Sequence, residues 1–296
     1  CAKPCVRLQD EIVEVNTRRA CCTTDPARLA AAIEVKELIP DGHCGARRWV
    51  ESDISRLALP AGPGTVTVVY VHGNKINHCE TRRRSMDVYH ALVARACDER
   101  PIRFVIWSWP ADEMKGFLRD FRVKATRTRP IGWQLAWGLN QFPPESPVSI
   151  LGYSYGARII GGTAHLLAGG DLSGLALPNP VPRPPMRVAF IAAATHAEWF
   201  GPGRYHGLAM TQIDRLFLVN NQSDPAMRFY KYTSKNCSPQ ALGLKGPTCI
   251  APADRCRVRY IDATDCIGRT HDLYKYTAKR HIMTHVWRHL TYADGL

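Results

Sequence analysis

The sequence predicts an α/β fold in which a mostly parallel central sheet carries helices on both faces. Three observations lead to this prediction. Apolar, β-branched stretches with few charges recur along the chain, which is typical of strands buried on both faces of a parallel sheet. Segments with the apolar spacing of helices alternate with these stretches. Polar or glycine-containing turns follow the stretches directly, where the carboxyl ends of parallel strands meet.

The predicted elements alternate between strand and helix over most of the chain. The predicted strands cover residues 11–17, 65–71, 102–107, 148–152, 188–194, 213–219 and 258–261. The helical patterns cover residues 81–96, part of 111–142, 157–167 and 272–289. We therefore expect two parts. Residues 1–60 hold an N-terminal tether over the first ten residues, the early strand and a cysteine-bearing segment, and residues 61–296 form the α/β domain.

Composition and charge exclude several classes of protein. The chain has 296 residues, of which 45% are hydrophobic, so it has enough apolar side chains for a globular core. No apolar run approaches the roughly 20 residues that a membrane-spanning helix needs. The formal net charge of +13 favours an anionic surface as a partner. The basic residues are dispersed, however, and no nucleic-acid-binding motif accompanies them, so no nucleic-acid partner is expected.

Eleven cysteines are many for a cytosolic enzyme, and none has the spacing of a zinc site. They favour disulfide bonds and an extracytoplasmic location: secreted, periplasmic or lipid-anchored. The chain begins at Cys1 without an initiator methionine, and mature bacterial lipoproteins begin with a lipid-bearing cysteine. Anchoring to a membrane surface through Cys1 is therefore one expectation, and the other ten cysteines are an even number that can form five disulfides.

Geometry restricts some of the disulfide pairings. Cys79 and Cys97 flank a predicted helix, which separates them by about 25 Å, far beyond the roughly 6 Å that a disulfide spans. Four later cysteines can pair among themselves in three ways and would then constrain a long loop. These are Cys237, Cys249, Cys256 and Cys266.

A Gly-x-Ser-x-Gly turn joins the predicted strand that ends at Gly152 to the helix that follows. In such a turn the backbone of Ser154 is strained, and the residues two positions away must lack bulk, a need that Gly152 and Gly156 meet. The hydroxyl group of Ser154 then points away from the backbone. The N–H of Tyr155 begins the next helix and points to where an oxyanion would form.

These features resemble the α/β-hydrolase family from about residue 65 to the C-terminus. The resemblance depends on a strand followed by His72 and Gly73, on the serine turn, and on the order of serine, acid and histidine along the chain. Arg18 and the segments 71–74 and 107–110 look like a poorly characterised bacterial branch of hydrolases. The resemblance implies the α/β-hydrolase fold and a catalytic domain over residues 61–296.

By this resemblance Ser154 is the nucleophile, His271 the general base and Asp224 the acid that orients the base. His271 lies beyond the last predicted strand, and Asp224 follows the strand at 213–219 by a few residues. His281 is the alternative base. The alternative acids are Asp262 and Asp265.

The resemblance also implies an oxyanion hole built from the N–H groups of Tyr155 and Asn74. His72 is expected to order its own turn by hydrogen bonds rather than to act as a second base. His281, His285 and His289 recur at four-residue spacing on one helix, but no carboxylate motif or thiol pair accompanies them, so no metal site is expected.

The implied reaction is hydrolysis of carboxylic esters, of small molecules or lipids, through an acyl-enzyme and without a cofactor. Two alternatives stay open: a catalytically silent member of the fold that binds anionic surfaces, and a serine peptidase. Aromatic residues near the strand ends belong either to an apolar acyl pocket or to the core. They are Trp107, Trp109, Trp133, Trp137, Tyr153 and Tyr155. The sequence leaves the oligomeric state open.

Overall fold

The computed structural model describes residues 6–41, 47–234 and 238–293. The described strands are β1 (Glu11–Asn16), β2 (Glu34–Pro40), β3 (Arg47–Ser52), β4 (Val66–Val71), β5 (Ile102–Ser108), β6 (Val148–Tyr153), β7 (Met186–Ile191), β8 (Ile213–Asn220) and β9 (Val258–Asp262). The described α-helices are α1 (Pro26–Ala32), α2 (His78–Val93), α3 (Phe117–Leu139), α4 (Tyr155–Leu167), α5 (Pro225–Phe229), α6 (Leu242–Lys245), α7 (Thr264–Ile267), α8 (Leu273–Thr277) and α9 (Arg280–Leu290).

One nine-stranded sheet has the order β3-β2-β1-β5-β4-β6-β7-β8-β9. The seven strands from β1 to β9 in this order run parallel to one another, whereas β2 pairs antiparallel with both β1 and β3. A parallel strand needs a crossover connection, and helices supply most of these connections here. This is the α/β-hydrolase fold that the sequence predicts.

The sheet separates two hydrophobic cores, because successive side chains of a strand point to opposite faces. In β4, Val69 and Val71 face the core that α3 and α4 cover. Val68 and Tyr70 of the same strand face the core that α2 and α9 cover. Burial on both faces explains why the central strands have uninterrupted apolar sequences.

The register of the sheet aligns the carboxyl ends of its central strands. Val71, at the end of β4, lies opposite both Trp107 and Gly152. Tyr153 of β6 lies opposite Ile191 of β7. The turns after these strands therefore meet at one edge of the sheet, and this edge holds the residues that the sequence singles out.

The helices differ from the prediction mainly in length. Helix α3 is longer than expected and contains Pro130 in its interior. The predicted helix over 272–289 is two helices, α8 and α9, that break at residues 278–279. None of the helices within the described residues is long and apolar enough to cross a bilayer.

The N-terminal segment contributes strands to the main sheet. Strand β1 lies between β2 and β5, and α1, β2 and β3 occupy most of the cysteine-bearing segment, where the sequence predicted no helix or strand. Asp10, at the end of the predicted tether, is buried and accepts hydrogen bonds from the Tyr89 hydroxyl (2.6 Å) and the Ile102 N–H (3.0 Å). The strands β2 and β3 were missed because they are half exposed, so charged residues interrupt their apolar pattern.

The disulfide bonds expected from the cysteine content are not found in the part of the chain that the structure describes. Its seven cysteines are free thiols: Cys21, Cys22, Cys79, Cys97, Cys249, Cys256 and Cys266. Cys1, Cys5, Cys44 and Cys237 lie outside the described residues. Backbone hydrogen bonds, rather than a disulfide among Cys249, Cys256 and Cys266, hold the late loop, for example from Thr248 N–H to Ala197 O (3.0 Å). Anchoring through Cys1 and an extracytoplasmic location stay predictions.

Candidate active site

Ser154 occupies the sharp turn between β6 and α4. Its φ and ψ angles of 54° and −119° are rarely adopted by a residue with a side chain, and its side chain is almost buried. Two backbone hydrogen bonds maintain this conformation: Ser154 N–H donates to Ile191 O (3.0 Å), and Ser154 O accepts from Ala194 N–H (3.0 Å). The end of β7 therefore supports the strained turn.

Three glycines allow the chain to pack closely around Ser154. A Cβ atom on Gly152 would lie 2.9 Å from the Ala157 nitrogen, across the turn, as the motif predicts. A Cβ on Gly156 would lie 2.1 Å from the Val71 carbonyl oxygen, so this glycine is needed for contact with β4 rather than across the turn. A Cβ on Gly73 would lie 3.0 Å from the Cβ of Ser154, so the turn after β4 lies directly beside the serine.

The structure brings His271 and Asp224 to Ser154. The His271 Nε2 atom lies 2.9 Å from Ser154 Oγ, and His271 Nδ1 lies 2.6 Å from Asp224 Oδ2. The imidazole stacks on the Tyr153 ring, with centroids 5.2 Å apart, and the Tyr153 hydroxyl donates to the His271 carbonyl oxygen. Burial and the Asp224 carboxylate raise the pKa of this phenol well above its ordinary value, so it stays a hydrogen-bond donor.

Asp224 is fully buried between β8 and α5. One carboxylate oxygen, Oδ1, caps α5 by accepting hydrogen bonds from the N–H groups of Ala226 (2.8 Å) and Met227 (3.2 Å). Pro225 occupies the first position of the helix, where its missing N–H costs nothing. Because the cap fixes the carboxylate, Oδ2 is directed at His271.

The alternative residues lie elsewhere. Asp262 accepts from Thr264 N–H (2.9 Å) through Oδ1 and from the Gln222 side chain (3.1 Å) through Oδ2. These hydrogen bonds, with Thr264 contributing most, lower the pKa of Asp262. Asp265 is exposed on α7, and His281 Nε2 lies 3.9 Å from Cys266 Sγ. The structure thus brings Asp224, rather than these two aspartates, to His271.

The turn after β4 contains Asn74, whose N–H we expected in the oxyanion hole. Its side-chain amide donates to Asp120 Oδ2 (2.5 Å). Asp120 is buried and also accepts from Lys124 Nζ (3.2 Å), one helical turn later in α3. The buried ion pair of Asp120 and Lys124 thus holds the Asn74 turn in place beside Ser154. The Tyr155 N–H, the other expected donor, opens α4 and has no partner within the helix.

His72 orders the same turn from within the core. Its Nδ1 atom lies 2.9 Å from the Gly73 carbonyl oxygen, and its Nε2 accepts from Trp109 N–H at 3.3 Å. The Trp109 indole N–H donates to the His72 carbonyl oxygen (2.8 Å). Burial, together with the Arg18 charge, lowers the pKa of His72 to about 3, so the imidazole is neutral and connects β4 to β5.

Arg18 connects three strand ends from the outside of this edge. Its guanidinium donates to Ser108 Oγ (3.1 Å) after β5, and to Ile76 O (2.8 Å) and Thr81 Oγ1 (3.0 Å) after β4. It also pairs with Asp112 at 2.6 Å. Arg18 thus links the segment at 107–110 to the turn that follows β4.

Sequence reasoning missed Asn221, which follows β8. This residue is fully buried, and its amide donates to Gly268 O (2.8 Å) and to the Tyr276 hydroxyl (3.1 Å). It therefore ties the loop that carries Asp224 to the loop that carries His271. Its position next to a strand end was the available signal, but several polar residues follow β8 and the sequence does not distinguish among them.

A pocket of about 500 Å³ opens beside His271. Its walls combine apolar side chains with charged ones from α2, the turn after β4 and α8. Its lining residues include Asn74, Lys75, Tyr153, His271 and Leu273. Its volume lies in the range of small-molecule sites.

The aromatic residues near the strand ends mostly belong to the core. Trp107, Trp109 and Trp133 are completely buried, and the Tyr155 hydroxyl donates to Phe121 O (2.9 Å). Of the six aromatic side chains considered for an acyl pocket, only Tyr153 lines the pocket beside His271.

The three histidines at four-residue spacing do not share one environment. His289 is buried with Nε2 3.1 Å from Val188 O, whereas His281 and His285 are exposed. Over residues 6–41, 47–234 and 238–293, no cluster of three or more His, Cys, Asp or Glu side chains is suited to a metal ion.

Comparison with known proteins adds little. No protein-family model matches the sequence, and no curated protein shows a significant match to it. The chain is similar to the solved structure of Zea mays acyl-protein thioesterase 2, at 14% identity over 80% of this chain and 97% of that one, with a TM-score of 0.40. At these values the similarity carries no argument, so the fold assignment rests on the sheet order and register.

Proposed function

We propose that this protein is a serine hydrolase that cleaves carboxylic esters through an acyl-enzyme on Ser154. One observation carries the proposal: His271 lies 2.9 Å from the Ser154 hydroxyl and 2.6 Å from the buried Asp224 carboxylate. A serine hydroxyl is a weak nucleophile until a base takes its proton, and this arrangement supplies the base and the group that orients it.

In the first step, Ser154 Oγ forms a bond to the ester carbonyl carbon while His271 Nε2 takes the hydroxyl proton. The carbonyl electron pair moves to oxygen, and the resulting oxyanion accepts hydrogen bonds from the Tyr155 and Asn74 N–H groups. The Asp224 carboxylate stabilises the imidazolium through its 2.6 Å contact with Nδ1.

The intermediate collapses when the bond to the alcohol oxygen breaks and His271 donates its proton to that oxygen. Water then attacks the acyl carbon while His271 takes one of its protons. The bond between the acyl carbon and Ser154 Oγ breaks, His271 returns the proton to Oγ, and the carboxylic acid is released. The His271 side chain retains 24% of its exposure, which supports access of this water. Esters are proposed before amides because an alcohol leaves more easily than an amine.

The pocket beside His271 supports a substrate of small-molecule size, with room for a group of mixed polarity next to the reacting carbonyl. A volume of about 500 Å³ accommodates either a soluble ester or one acyl ester of a lipid. Rates of hydrolysis for esters of increasing acyl chain length would measure the acyl preference.

A fluorophosphonate probe tests the proposal, since it phosphonylates an activated serine. We expect one adduct per chain by intact mass and loss of that adduct in Ser154→Ala. Ser173 gives a matched control: it is exposed and also has a positive φ of 55°, but it lies outside the strand–helix turn. Ser173→Ala should label like the unchanged protein.

Labelling that persists in Ser154→Ala would refute the proposed nucleophile. A folded protein that does not label at all would favour the silent binding protein instead. Matched ester and amide substrates with one acyl group then separate an esterase from a peptidase, and turnover of the amide at a rate comparable to that of the ester would overturn the ester assignment.

A further inference from the structure

Four large apolar side chains are exposed next to the candidate active site. Phe117 and Leu118 begin α3, and Phe229 and Tyr232 lie at and just after the end of α5. Their exposed fractions are 52%, 42%, 49% and 41%, respectively. Contiguous exposed apolar groups on a folded surface are typical of an interaction site.

The three rings form a continuous surface, which we call the aromatic patch: Phe117, Phe229 and Tyr232. The centroids of Phe117 and Phe229 are 6.3 Å apart, and those of Phe229 and Tyr232 are 6.0 Å apart. Phe117 also stacks on Phe121, whose ring contacts the buried Tyr155. The patch therefore packs, through Phe121, against the helix that follows Ser154.

Lys75 links the patch to the pocket beside His271. Lys75 lines that pocket, and its Nζ atom lies 5.6 Å from the centre of the Phe117 ring. Phe229 closes the short helix that Asp224 caps. A molecule that covers the aromatic patch would thus border the entrance to the pocket.

Basic side chains surround the aromatic patch. Lys231 Nζ lies 5.1 Å from the centre of the Tyr232 ring, and Arg122 donates to the Tyr232 carbonyl oxygen (3.0 Å). Further exposed basic residues on the same two segments are Lys115, Arg119 and Arg228. Over residues 111–122 and 225–234, the exposed acidic residues are Asp112 and Glu113, which pair with Arg18 and Lys75. The rim is therefore strongly positive.

We infer that the aromatic patch docks on an anionic lipid surface. Aromatic side chains favour the boundary between head groups and acyl chains, and an anionic membrane surface attracts lysine and arginine side chains. A second copy of the chain fits less well, because it would bring one positive rim against another. Docking is independent of hydrolysis, although it would place the pocket at the membrane surface.

Vesicle sedimentation tests this inference, with protein that carries no lipid on Cys1. We expect the unchanged protein to bind phosphatidylcholine vesicles with about one third phosphatidylglycerol at about 0.1 M NaCl, and to bind pure phosphatidylcholine at least about tenfold more weakly. Ser154→Ala should bind like the unchanged protein, which separates docking from catalysis.

Paired variants identify the surface. Phe117→Ala with Phe229→Ala should weaken binding to anionic vesicles at least about tenfold. The matched control is Leu8→Ala with Leu59→Ala, which removes side chains that are 92% and 53% exposed. These two leucines lie near the amino ends of the strands, since Leu8 precedes β1 and the Leu59 carbonyl accepts from Arg103 at the start of β5. The control should bind within about twofold of the unchanged protein.

Charge reversal tests the rim in the same assay. Arg119→Glu with Lys231→Glu should also weaken binding at least about tenfold. Arg255→Glu with Arg259→Glu changes the net charge equally, at exposed positions before and within β9, and should have a clearly smaller effect. Turnover of a short, soluble ester should be unchanged in the four paired variants.

Several outcomes would overturn the inference: no binding of the unchanged protein to anionic vesicles, equal losses in the patch and control variants, or no dependence on anionic lipid. Light scattering without lipid tests for a dimer. If the unchanged protein is a dimer and Phe117→Ala with Phe229→Ala dissociates it, the aromatic patch belongs to an interface with a second copy of the chain and the inference is overturned.

Discussion

Replacing Asp224 by asparagine would test the proposed mechanism with little change in shape. Because Oδ1 caps α5 through the N–H groups of Ala226 and Met227, the asparagine should keep its oxygen there. Its NH₂ group then occupies the Oδ2 position, 2.6 Å from His271 Nδ1. Two N–H groups cannot face each other at this distance, so the imidazole must carry its proton on Nε2, against Ser154.

In that tautomer His271 cannot accept the serine proton. By analogy with other serine triads, we expect kcat/KM for an ester to fall by about 10⁴-fold. This corresponds to about 5 kcal/mol of lost transition-state stabilisation. Asparagine caps helices as well as aspartate, so the free energy of unfolding should change by no more than about 1–2 kcal/mol.

The assay is initial-rate hydrolysis of a p-nitrophenyl ester, with the rate of fluorophosphonate labelling and urea unfolding as companion measurements. Asp262→Asn is the matched control, because Asp262 also accepts a backbone N–H, from Thr264. It should leave kcat/KM nearly unchanged. The proposed role of Asp224 is refuted if Asp224→Asn keeps more than about a tenth of the kcat/KM of the unchanged protein, or if Asp262→Asn lowers kcat/KM as much as Asp224→Asn does.

Four other features of the structure can be tested: the close packing at Gly156, the contacts of Asn221, the buried His72 and the free cysteines. Gly156→Ala should lower the free energy of unfolding by about 3 kcal/mol or prevent folding, whereas Gly62→Ala should be neutral, as urea denaturation would show. Asn221→Ala should reduce kcat at least about tenfold, with a smaller change in KM, because it loosens the loops that carry Asp224 and His271. Gln222→Ala, at the exposed neighbouring position, should leave kcat unchanged, and equal effects of the two variants would refute a positioning role for Asn221. Burial lowers the pKa of His72 to about 3 in the folded chain, against an ordinary 6.5, so between these values only the unfolded chain gains this proton. As the pH falls from 6 to 4, this group should therefore lower the free energy of unfolding by about 1.4 kcal/mol per pH unit, and a pH-independent free energy would contradict this. A thiol reagent should titrate at least seven thiols per unreduced, denatured chain, and a count near zero would restore the disulfides.

Much of the sheet could be predicted from the sequence because its central strands are buried on both faces. In β4 and β6 every residue is buried, which leaves an apolar run that a short window detects. The edge strands β2 and β3 escaped prediction, since half exposure permits charged residues on them. The abundance of cysteines then favoured disulfides, which the described residues lack.

Ser154 could be selected from the sequence, because its motif is local: strand, strained turn, helix and two glycines within a few residues. His271 and Asp224 could be ranked only by chain order and by resemblance, as several histidines and aspartates follow the relevant strands. The structure selects between them by distance, since Asp224 is fixed by α5 whereas Asp262 caps its own turn.

The sequence by itself determined the layered α/β architecture and the position of the serine turn, because burial and backbone strain leave their marks on neighbouring residues. Only the tertiary structure decided which imidazole and carboxylate meet that serine, that Asn221 joins their loops, and that Phe117 and Phe229 form one exposed surface. Each of these contacts joins residues more than 40 positions apart, and composition and spacing do not encode such distances.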